Sequence, residues 1–251
     1  MNAYRPIAFA SSAASDKPTV LLKPTIVLVH GAFADGSTWN KVIHQLQAKG
    51  LNAVSVQNPL TSFEDDVAAT RRVLALQTGP VVLVGHSYGG AVITEAGQDE
   101  RVKALVYIAA FAPSEGESVA DLNKKYPLPS GYNHLSSDKE GFLMLTPEGV
   151  EKYLAQDIPL EQTRLIIATQ HPIRGANFEK KVSAAAWETK PSWYLVSEND
   201  LMLQPALQKE MAQKIGAHIV NVAASHVPHL SHAAEVEKII MSAVNDVEVL
   251  E

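Results

Sequence analysis

Short apolar runs, bounded by glycine, proline or polar residues, recur along this chain and define most of its predicted elements. The runs lack the alternation of polar and apolar positions that marks a strand with one face in water. Runs of this kind are typical of strands buried on both faces of a parallel sheet. We therefore predict six strands, at residues 25–29, 52–56, 81–84, 102–108, 192–196 and 218–222.

Between these runs lie segments whose apolar residues recur at helical spacing. Ser62 followed by Asp65 forms a capping box for one of them, and Gly50 and Gly216 end two others. Strands that alternate with helices imply an α/β fold, with a mostly parallel central sheet and helices on both faces, joined by right-handed crossovers. The predicted helices lie at residues 39–49, 62–77, 91–96, 204–215 and 233–247.

Residues 113–190 interrupt this alternation. They contain several prolines, a polar stretch at 121–141 and helical patterns at 147–156 and 160–168, but no clear strand. A segment of 78 residues is too long for a loop between two sheet strands. We predict an inserted helical cap that encloses a substrate. The predicted organisation is an N-terminal arm at 1–23, the α/β core at 24–112 and 191–251, and the cap at 113–190.

Composition narrows the classes of function. A chain of 251 residues suits one α/β domain with an insertion. Its net charge of −6 comes with no basic block, so we expect no nucleic-acid partner. No apolar run approaches the roughly 18 residues of a membrane-spanning helix, so we expect a soluble protein without a membrane partner. Cysteine is absent, which removes thiolate nucleophiles, disulfides and cysteine-based metal sites.

The first 18 residues are rich in Ala and Ser but lack the continuous apolar centre of a secretory signal. We expect a cytoplasmic protein, and a periplasmic or secreted location stays open if the arm is a processed leader. The oligomeric state is not determined by any of these patterns.

Ser87 lies at the centre of a Gly-x-Ser-x-Gly pentapeptide, between Gly85 and Gly89. An apolar strand precedes it and a helix-compatible segment follows, which is the context that a nucleophile elbow requires. In an elbow, small flanking residues let strand and helix approach and leave the serine in strained backbone geometry, near helix N–H groups that can stabilise negative charge. The alternative is a glycine-rich turn in which Ser87 has no chemical role.

Reactive residues follow four predicted strands, namely His30, Ser87, Asp200 and His226. The carboxyl ends of parallel strands converge on one crevice, so we expect these side chains to lie close together. A serine hydroxyl needs a base to remove its proton, an imidazole can do so near neutral pH, and a carboxylate orients the imidazole. The chain order Ser, Asp, His is the order found in α/β-hydrolases.

With these strand ends in place, the chain from Thr25 to Val247 resembles the α/β-hydrolase-fold serine hydrolases. Within them it is most similar to the small capped esterases related to plant methylesterases and hydroxynitrile lyases. The motifs that carry the resemblance are Val-His-Gly-Ala at 29–32, Gly-His-Ser-Tyr-Gly-Gly at 85–90, Pro-Ser-Trp-Tyr-Leu-Val at 191–196 and Ser-His-Val-Pro-His-Leu-Ser-His at 225–232.

The resemblance implies a role for each matched residue. Ser87 would be the nucleophile, His226 the base and Asp200 the orienting acid. The backbone N–H groups of Ala32 and Tyr88 would form the oxyanion hole.

Some alternatives to these roles stay open. His229 and His232 compete with His226 as the base, and we favour His226 because it follows its strand soonest. Glu198 competes with Asp200 as the acid, being nearer the strand end but longer in the side chain.

The remaining histidines suggest structural roles. We expect His30 to brace the oxyanion loop and His86 to pack within the elbow, whereas His171 could face either the pocket or solvent. No histidine pair has the spacing of a zinc helix, and His226 with His229 is a weak metal signal. We predict no metal and no cofactor.

Two departures from related families narrow the reaction. Hydroxynitrile lyases of this group usually carry a lysine after the catalytic histidine, where this chain has Val227. Haloalkane dehalogenases and epoxide hydrolases need a carboxylate nucleophile, where this chain has Ser87. We therefore expect hydrolysis of small to medium carboxylic esters, with a small-molecule ester as the partner. The apolar residues expected at the substrate are Phe33, Phe111 and Trp187, with Tyr88, Leu143 and Leu145 as further candidates.

Two other functions fit the same residues. The fold could serve as a small-molecule binding protein or receptor with slow turnover, or it could cleave C–C or C–N bonds or act as a lyase. The nucleophile, base and oxyanion donors would be shared, so the sequence does not separate these reactions.

Overall fold

The computed structural model describes residues 23–249, so nearly all of the arm expected at residues 1–23 lies outside the described residues. The strands within that range are β1 (Thr25–Val29), β2 (Ala53–Val56), β3 (Val81–His86), β4 (Val102–Ile108), β5 (Leu135–Ser137), β6 (Phe142–Leu145), β7 (Ile173–Arg174), β8 (Ser192–Ser197) and β9 (His218–Val222).

Helices fill most of the intervals between the strands. They are α1 (Asn40–Ala48), α2 (Phe63–Ala75), α3 (Gly89–Ala96), α4 (Val119–Asn123), α5 (Pro147–Gly149), α6 (Leu160–Thr169), α7 (Pro205–Lys214), α8 (Pro228–Ser231) and α9 (Ala233–Val249). Short 3-10 turns lie at Gly36–Trp39, Ser130–His134, Gly175–Glu179 and Ala186–Glu188, and a π turn lies at Val150–Leu154.

Six strands form the central sheet, in the order β2-β1-β3-β4-β8-β9, and every neighbouring pair is parallel. These are the six strands predicted from the apolar runs, and the predicted fold class is confirmed. The runs of β1, β3, β4 and β8 lack alternation because both faces of the sheet are covered there. The edge strand β9 departs from this expectation, because His218–Asn221 are exposed. On β1, Ile26 and Leu28 pack toward α1 and α9, whereas Val27 and Val29 pack toward α2 and α3.

The order of the strands reverses at β1, which pairs with β2 on one side and with β3 on the other. Such a reversal opens a crevice outside the carboxyl ends of the strands. The register aligns Val29 with Gly85 and His86 with Ile108, so the segments that follow β1, β3 and β4 all leave the sheet at the carboxyl ends of the strands. The residues singled out from the sequence lie at these ends.

The segment between β4 and β8 differs in part from the expectation. It contains α4, α5 and α6, but also an antiparallel sheet in the order β5-β6-β7. The expectation that residues 113–190 contain no clear strand is therefore wrong. The three strands have three, four and two residues, too few for a period-2 pattern to be recognised. The boundaries of the cap stay a prediction.

Polar contacts attach this inserted segment to the core. Glu95 of α3 accepts hydrogen bonds from the backbone N–H of Ser183 (2.6 Å) and from its hydroxyl (2.7 Å). On the other side of the site, the N–H of Arg174 donates to the carbonyl oxygen of Leu60 (2.9 Å). Among the described helices, none is long and apolar enough to cross a membrane.

Candidate active site

Ser87 occupies the tight turn between β3 and α3, with a φ of 51°. A left-handed backbone at a residue with a Cβ costs about 1–3 kcal/mol and persists only where the surroundings enforce it. Here the N–H of Ser87 donates to the carbonyl of Ile108 (3.3 Å), and the carbonyl of Ser87 accepts from the N–H of Phe111 (3.1 Å). These bonds tie the turn to the end of β4.

The glycines of the pentapeptide are required because backbone segments approach closely around the turn. A Cβ added to Gly85 would lie 2.7 Å from the carbonyl oxygen of Gly89. A Cβ on Gly89 would lie 2.6 Å from the carbonyl oxygen of Val29, at the end of β1. The motif thus reflects the packing of α3 against two strands.

His226, in the loop after β9, reaches the serine and the carboxylate at the same time. Its Nε2 atom lies 2.8 Å from the Ser87 hydroxyl, and its Nδ1 atom lies 2.7 Å from Oδ2 of Asp200. Because a carboxylate accepts, the Nδ1–H donates to Asp200, which leaves Nε2 free to accept the hydroxyl proton. The three side chains are buried, each with less than a tenth of its surface exposed.

Hydrogen-bond donors hold the carboxylate of Asp200 in place. Its Oδ1 accepts from the N–H groups of Met202 and Leu203, both at 2.8 Å, and its Oδ2 also accepts from Nε2 of Gln208 at 2.8 Å. Donors of this kind replace the hydrogen bonds to water that a buried carboxyl group loses. The ionised form is the one that can stabilise a protonated imidazole beside it.

The competing residues lie away from the serine hydroxyl. The side chain of Glu198 is exposed, and its closest charged neighbour is Lys209. Nε2 of His229 lies 2.8 Å from the hydroxyl of Thr38, and Nδ1 of His232 lies 2.8 Å from the hydroxyl of Ser231. The structure therefore brings Ser87, His226 and Asp200 together and leaves the alternatives outside.

Three other histidines are buried around the site. His30 donates from Nδ1 to the carbonyl of Gly31 (2.9 Å) and accepts at Nε2 from the N–H of Asn58 (3.0 Å), while His86 donates from Nε2 to the carbonyl of His226 (2.7 Å). Burial lowers the pKa of His30 to about 4 and that of His229 to about 3, and it lowers the pKa of His86 well below its usual value. Neutral imidazoles therefore brace the loops that follow β1 and β9.

Two backbone amides border the serine. Ala32 follows Gly31, where an added Cβ would lie 2.9 Å from Cβ of Ser87, and Tyr88 is the next residue after the serine. Within residues 23–249 neither the Ala32 nor the Tyr88 N–H has a hydrogen-bond acceptor. Unsatisfied N–H groups beside a serine hydroxyl can bind an oxyanion.

A cavity of about 180 Å³ opens beside Ser87 and His226, and its wall is mostly apolar. Phe33 and Phe111 line it, as predicted, and so does Leu143 from the inserted segment. Leu145 and His171 are absent from the wall. The residues that line the cavity are Ala32, Phe33, Ser87, Phe111, Tyr132, Leu135, Leu143, Leu154, Phe178, Met202 and His226.

Trp187 does not line this cavity, contrary to the sequence prediction. Its indole N–H donates to the carbonyl of Pro113 (2.8 Å), and the ammonium group of Lys214 lies 5.4 Å from the centre of its ring. These contacts fix Trp187 at the base of the inserted segment. Tyr132, Leu154 and Phe178 were missed because they come from separate turns of that segment, and no local pattern reveals which of their faces meets the site.

A second cleft of about 210 Å³ lies next to the cavity and shares Phe33 with it. Its other walls come from the turn before α1 and from α6, with apolar Ile166 and Leu230 and polar Thr38 and Gln162. Phe33 has a φ of 62°, so strained backbone separates the two spaces. Among the residues that the structure describes, no group of three or more His, Asp or Glu side chains could hold a metal ion.

Comparison with known proteins finds relatives that share this fold. The model of the alpha/beta hydrolase family matches residues 26–239. "Probable hydrolase R7" of Phoma sp. is 31% identical over 240 residues, which cover 84% of this chain and 94% of the relative. "Methylesterase 8" of Arabidopsis thaliana is 22% identical, with coverage of 81% and 82%. The crystal structure of a pyrethroid hydrolase from Sphingobium faniae superposes with a TM-score of 0.76 at 21% identity, covering 88% of this chain and 97% of that one.

The buried neutral histidines predict acid sensitivity. The unfolded chain protonates each imidazole near pH 6.5, whereas folded His30 and His229 stay neutral to about pH 4 and 3. Between pH 6.5 and 4 the unfolded chain binds more protons, so the free energy of unfolding should fall as the pH falls. Burial raises the pKa of Asp66 to about 6, which acts in the opposite direction between about pH 6 and 4.

His229→Gln isolates one of these contributions, because glutamine can still bond to Thr38. We expect the loss of unfolding free energy between pH 7 and 4, measured by urea unfolding, to shrink by about 3 kcal/mol relative to the wild type. His44→Gln, on the exposed side of α1, is the matched control and should not change the loss. An unchanged pH dependence in His229→Gln would contradict the assignment.

Proposed function

This chain belongs to the alpha/beta hydrolase family, and we propose that within it the chain is a serine hydrolase of carboxylic esters. The observation that carries the proposal is the continuous set of hydrogen bonds from Asp200 through His226 to Ser87, at 2.7 and 2.8 Å. The three residues come from three different loops, and Ser87 and His226 are 139 positions apart in the chain. Such an arrangement is the geometry that activates a serine hydroxyl.

The similarity to a methylesterase supports an ester as the bond that is cleaved. The residue after His226 supports the same choice. Val227 is buried in the apolar core, so no charged side chain follows the base. This chain therefore lacks the lysine that related hydroxynitrile lyases usually carry at this position.

In the proposed reaction, the Ser87 oxygen attacks the ester carbonyl carbon while Nε2 of His226 takes the hydroxyl proton. The carbonyl oxygen becomes an oxyanion and accepts hydrogen bonds from the amides of Ala32 and Tyr88. Asp200 stabilises the imidazolium through Nδ1. His226 then gives its proton to the departing alcohol, which leaves an acyl group on Ser87. Water repeats the sequence on the acyl-enzyme, and the acid is released.

The two adjoining spaces indicate the size of the substrate. A cavity of about 180 Å³ with an apolar wall suits a short to medium acyl chain, since apolar surface is favoured there. The neighbouring cleft of about 210 Å³ is close to Leu230, four residues after the base, and it offers room for the alcohol part. The proposed substrates are therefore small-molecule esters.

Removal of the nucleophile tests the proposal directly. Ser87→Ala should lower kcat for p-nitrophenyl butyrate by at least about 10³, because the remaining residues cannot form an acyl-enzyme. Asp200→Asn should lower kcat as well, since the carboxylate no longer orients the imidazole. Ser231→Ala, in the helix after His226, is the serine control and should stay within twofold of the wild type. Retention of more than a tenth of the activity in Ser87→Ala would refute the proposal.

Narrowing the cavity tests the assignment of the acyl site. Leu143→Trp places a larger side chain in the wall, and we expect kcat/KM for the hexanoate ester to fall at least tenfold while the acetate ester stays within threefold. Leu128→Trp is the matched control, because Leu128 is 63% exposed and absent from the cavity wall. An equal fall for both esters in Leu143→Trp would show that the acyl chain binds elsewhere.

A further inference from the structure

Asp66 is a buried carboxyl group that the proposed reaction does not use. It lies in the first turn of α2, and its side chain is inaccessible to solvent. The acids next to it, Glu64 and Asp65, are exposed. A buried carboxyl group is costly unless donors surround it, so its partners indicate what it is for.

Those partners come from three separate parts of the fold. Oδ1 of Asp66 accepts from the N–H of Leu60 (2.7 Å), and Oδ2 accepts from the hydroxyl of Tyr88 (2.7 Å). Nδ2 of Asn177, in the inserted segment, lies 3.5 Å from Oδ2 and donates to the carbonyl of Leu60 (3.3 Å). Burial raises the pKa of Asp66 to about 6, and the bond from Tyr88 opposes that rise.

Leu60, one of the partners of Asp66, has a strained backbone. It has a φ of 59° and is fully buried, in the loop between β2 and α2. Both of its backbone polar groups are satisfied within the cluster, the N–H by Asp66 and the carbonyl by Asn177 and Arg174. Asp66 therefore holds the loop that receives the inserted segment.

Tyr88 connects the cluster to the reaction centre. Its ring packs edge-on against Phe63 (6.3 Å between centres) and against Phe178 (5.6 Å), and Phe178 lines the cavity. Its backbone N–H directly follows Ser87, whose φ of 51° persists only where neighbouring residues enforce it. The hydroxyl is the one polar group of the Tyr88 side chain, so its hydrogen bond to Asp66 holds the far end of the ring.

We propose that Asp66 is a positioning residue for the oxyanion hole. Its hydrogen bond to the Tyr88 hydroxyl holds the Tyr88 backbone N–H beside Ser87. Its contacts with Leu60 and Asn177 hold the adjoining cavity wall against Tyr88. The inference rests on the proposed function, because it assigns the Tyr88 amide to the oxyanion. Asp66 does not line the cavity beside Ser87. Its effect on the reaction is carried by Tyr88.

Tyr88→Phe tests the inference, because it removes only the hydroxyl and leaves both ring contacts. An oxyanion donor that is displaced by a few tenths of an ångström should weaken catalysis less than its complete removal, which costs about 10²–10³. We expect kcat for p-nitrophenyl butyrate to fall about tenfold, with KM within twofold. The inhibition constant of butaneboronic acid, whose tetrahedral serine adduct places an oxygen in the same site, should rise by a similar factor.

Tyr107→Phe is the matched control. Tyr107 on β4 is also fully buried, and its hydroxyl lies 2.9 Å from the hydroxyl of Thr94 on α3, but it does not line the cavity. The variant should lower the urea midpoint about as much as Tyr88→Phe while kcat and the boronate constant stay within twofold of the wild type. Asp66→Ala should lower kcat by at least as much as Tyr88→Phe, and it should add little in the Tyr88→Phe background.

Two results would overturn the inference. The first is a Tyr88→Phe variant that loses stability but keeps kcat and boronate affinity within twofold. The second is an equal loss of kcat in Tyr107→Phe, which would mean that any loosening of this core slows the reaction. If Asp66→Ala does not fold, the comparison of the two tyrosine variants decides alone.

Ser87→Ala, measured alongside, separates this inference from the proposed function. Full activity in Ser87→Ala refutes the proposed function. An inactive Ser87→Ala together with an unchanged Tyr88→Phe refutes only this inference.

Discussion

The left-handed backbone at Ser87 is the constraint on which the rest of the site depends. A serine at a φ of 51° raises its side chain above the sheet edge, but this conformation survives only if neighbouring segments hold it. The parallel register brings the ends of β1, β3 and β4 to the same edge, and Gly85 and Gly89 let α3 approach them without a clash. The turn at Ser87 therefore depends on how α3 packs against the strands, and that packing depends on the glycines of the turn.

Buried polar groups complete the arrangement, and each has a defined partner. Asp200 is surrounded by three donors besides the imidazole, so its buried carboxyl group keeps hydrogen-bond partners away from water. Neutral His30 and His86 support the loops on either side of the serine. We assign Asp66 the corresponding part for Tyr88. Ser87, His226 and the proposed oxyanion donors are thus held by groups that take no part in the proposed reaction.

Much of this could be predicted from the sequence because the relevant signals are local. The strands buried on both faces appear as uninterrupted apolar runs, and Ser87 appears with its glycines. Asp200 and His226 could be located since each comes within four residues of the end of a predicted strand, and parallel strands bring their ends together. The rest depends on contacts between distant segments. Trp187 looked like a substrate contact, but Pro113 and Lys214 hold it elsewhere.

Asp66 illustrates the same limit. In the sequence it is the third acid in the first turn of a helix, a position where carboxylates usually interact with the helix dipole in water. Only the folded chain reveals that it faces inward to Tyr88 and Leu60. The strands of the inserted segment were missed for a related reason, because two to four residues carry no readable period.

The proposed reaction requires that Ser87 is an activated nucleophile. The most direct measurement is reaction of the protein with a fluorophosphonate, followed by intact-mass analysis and peptide mapping. We predict a single adduct on Ser87, formed rapidly by the wild type and lost or greatly slowed in His226→Ala, since the imidazole must take the hydroxyl proton. No adduct in the wild type, or an adduct on another residue, would contradict this claim.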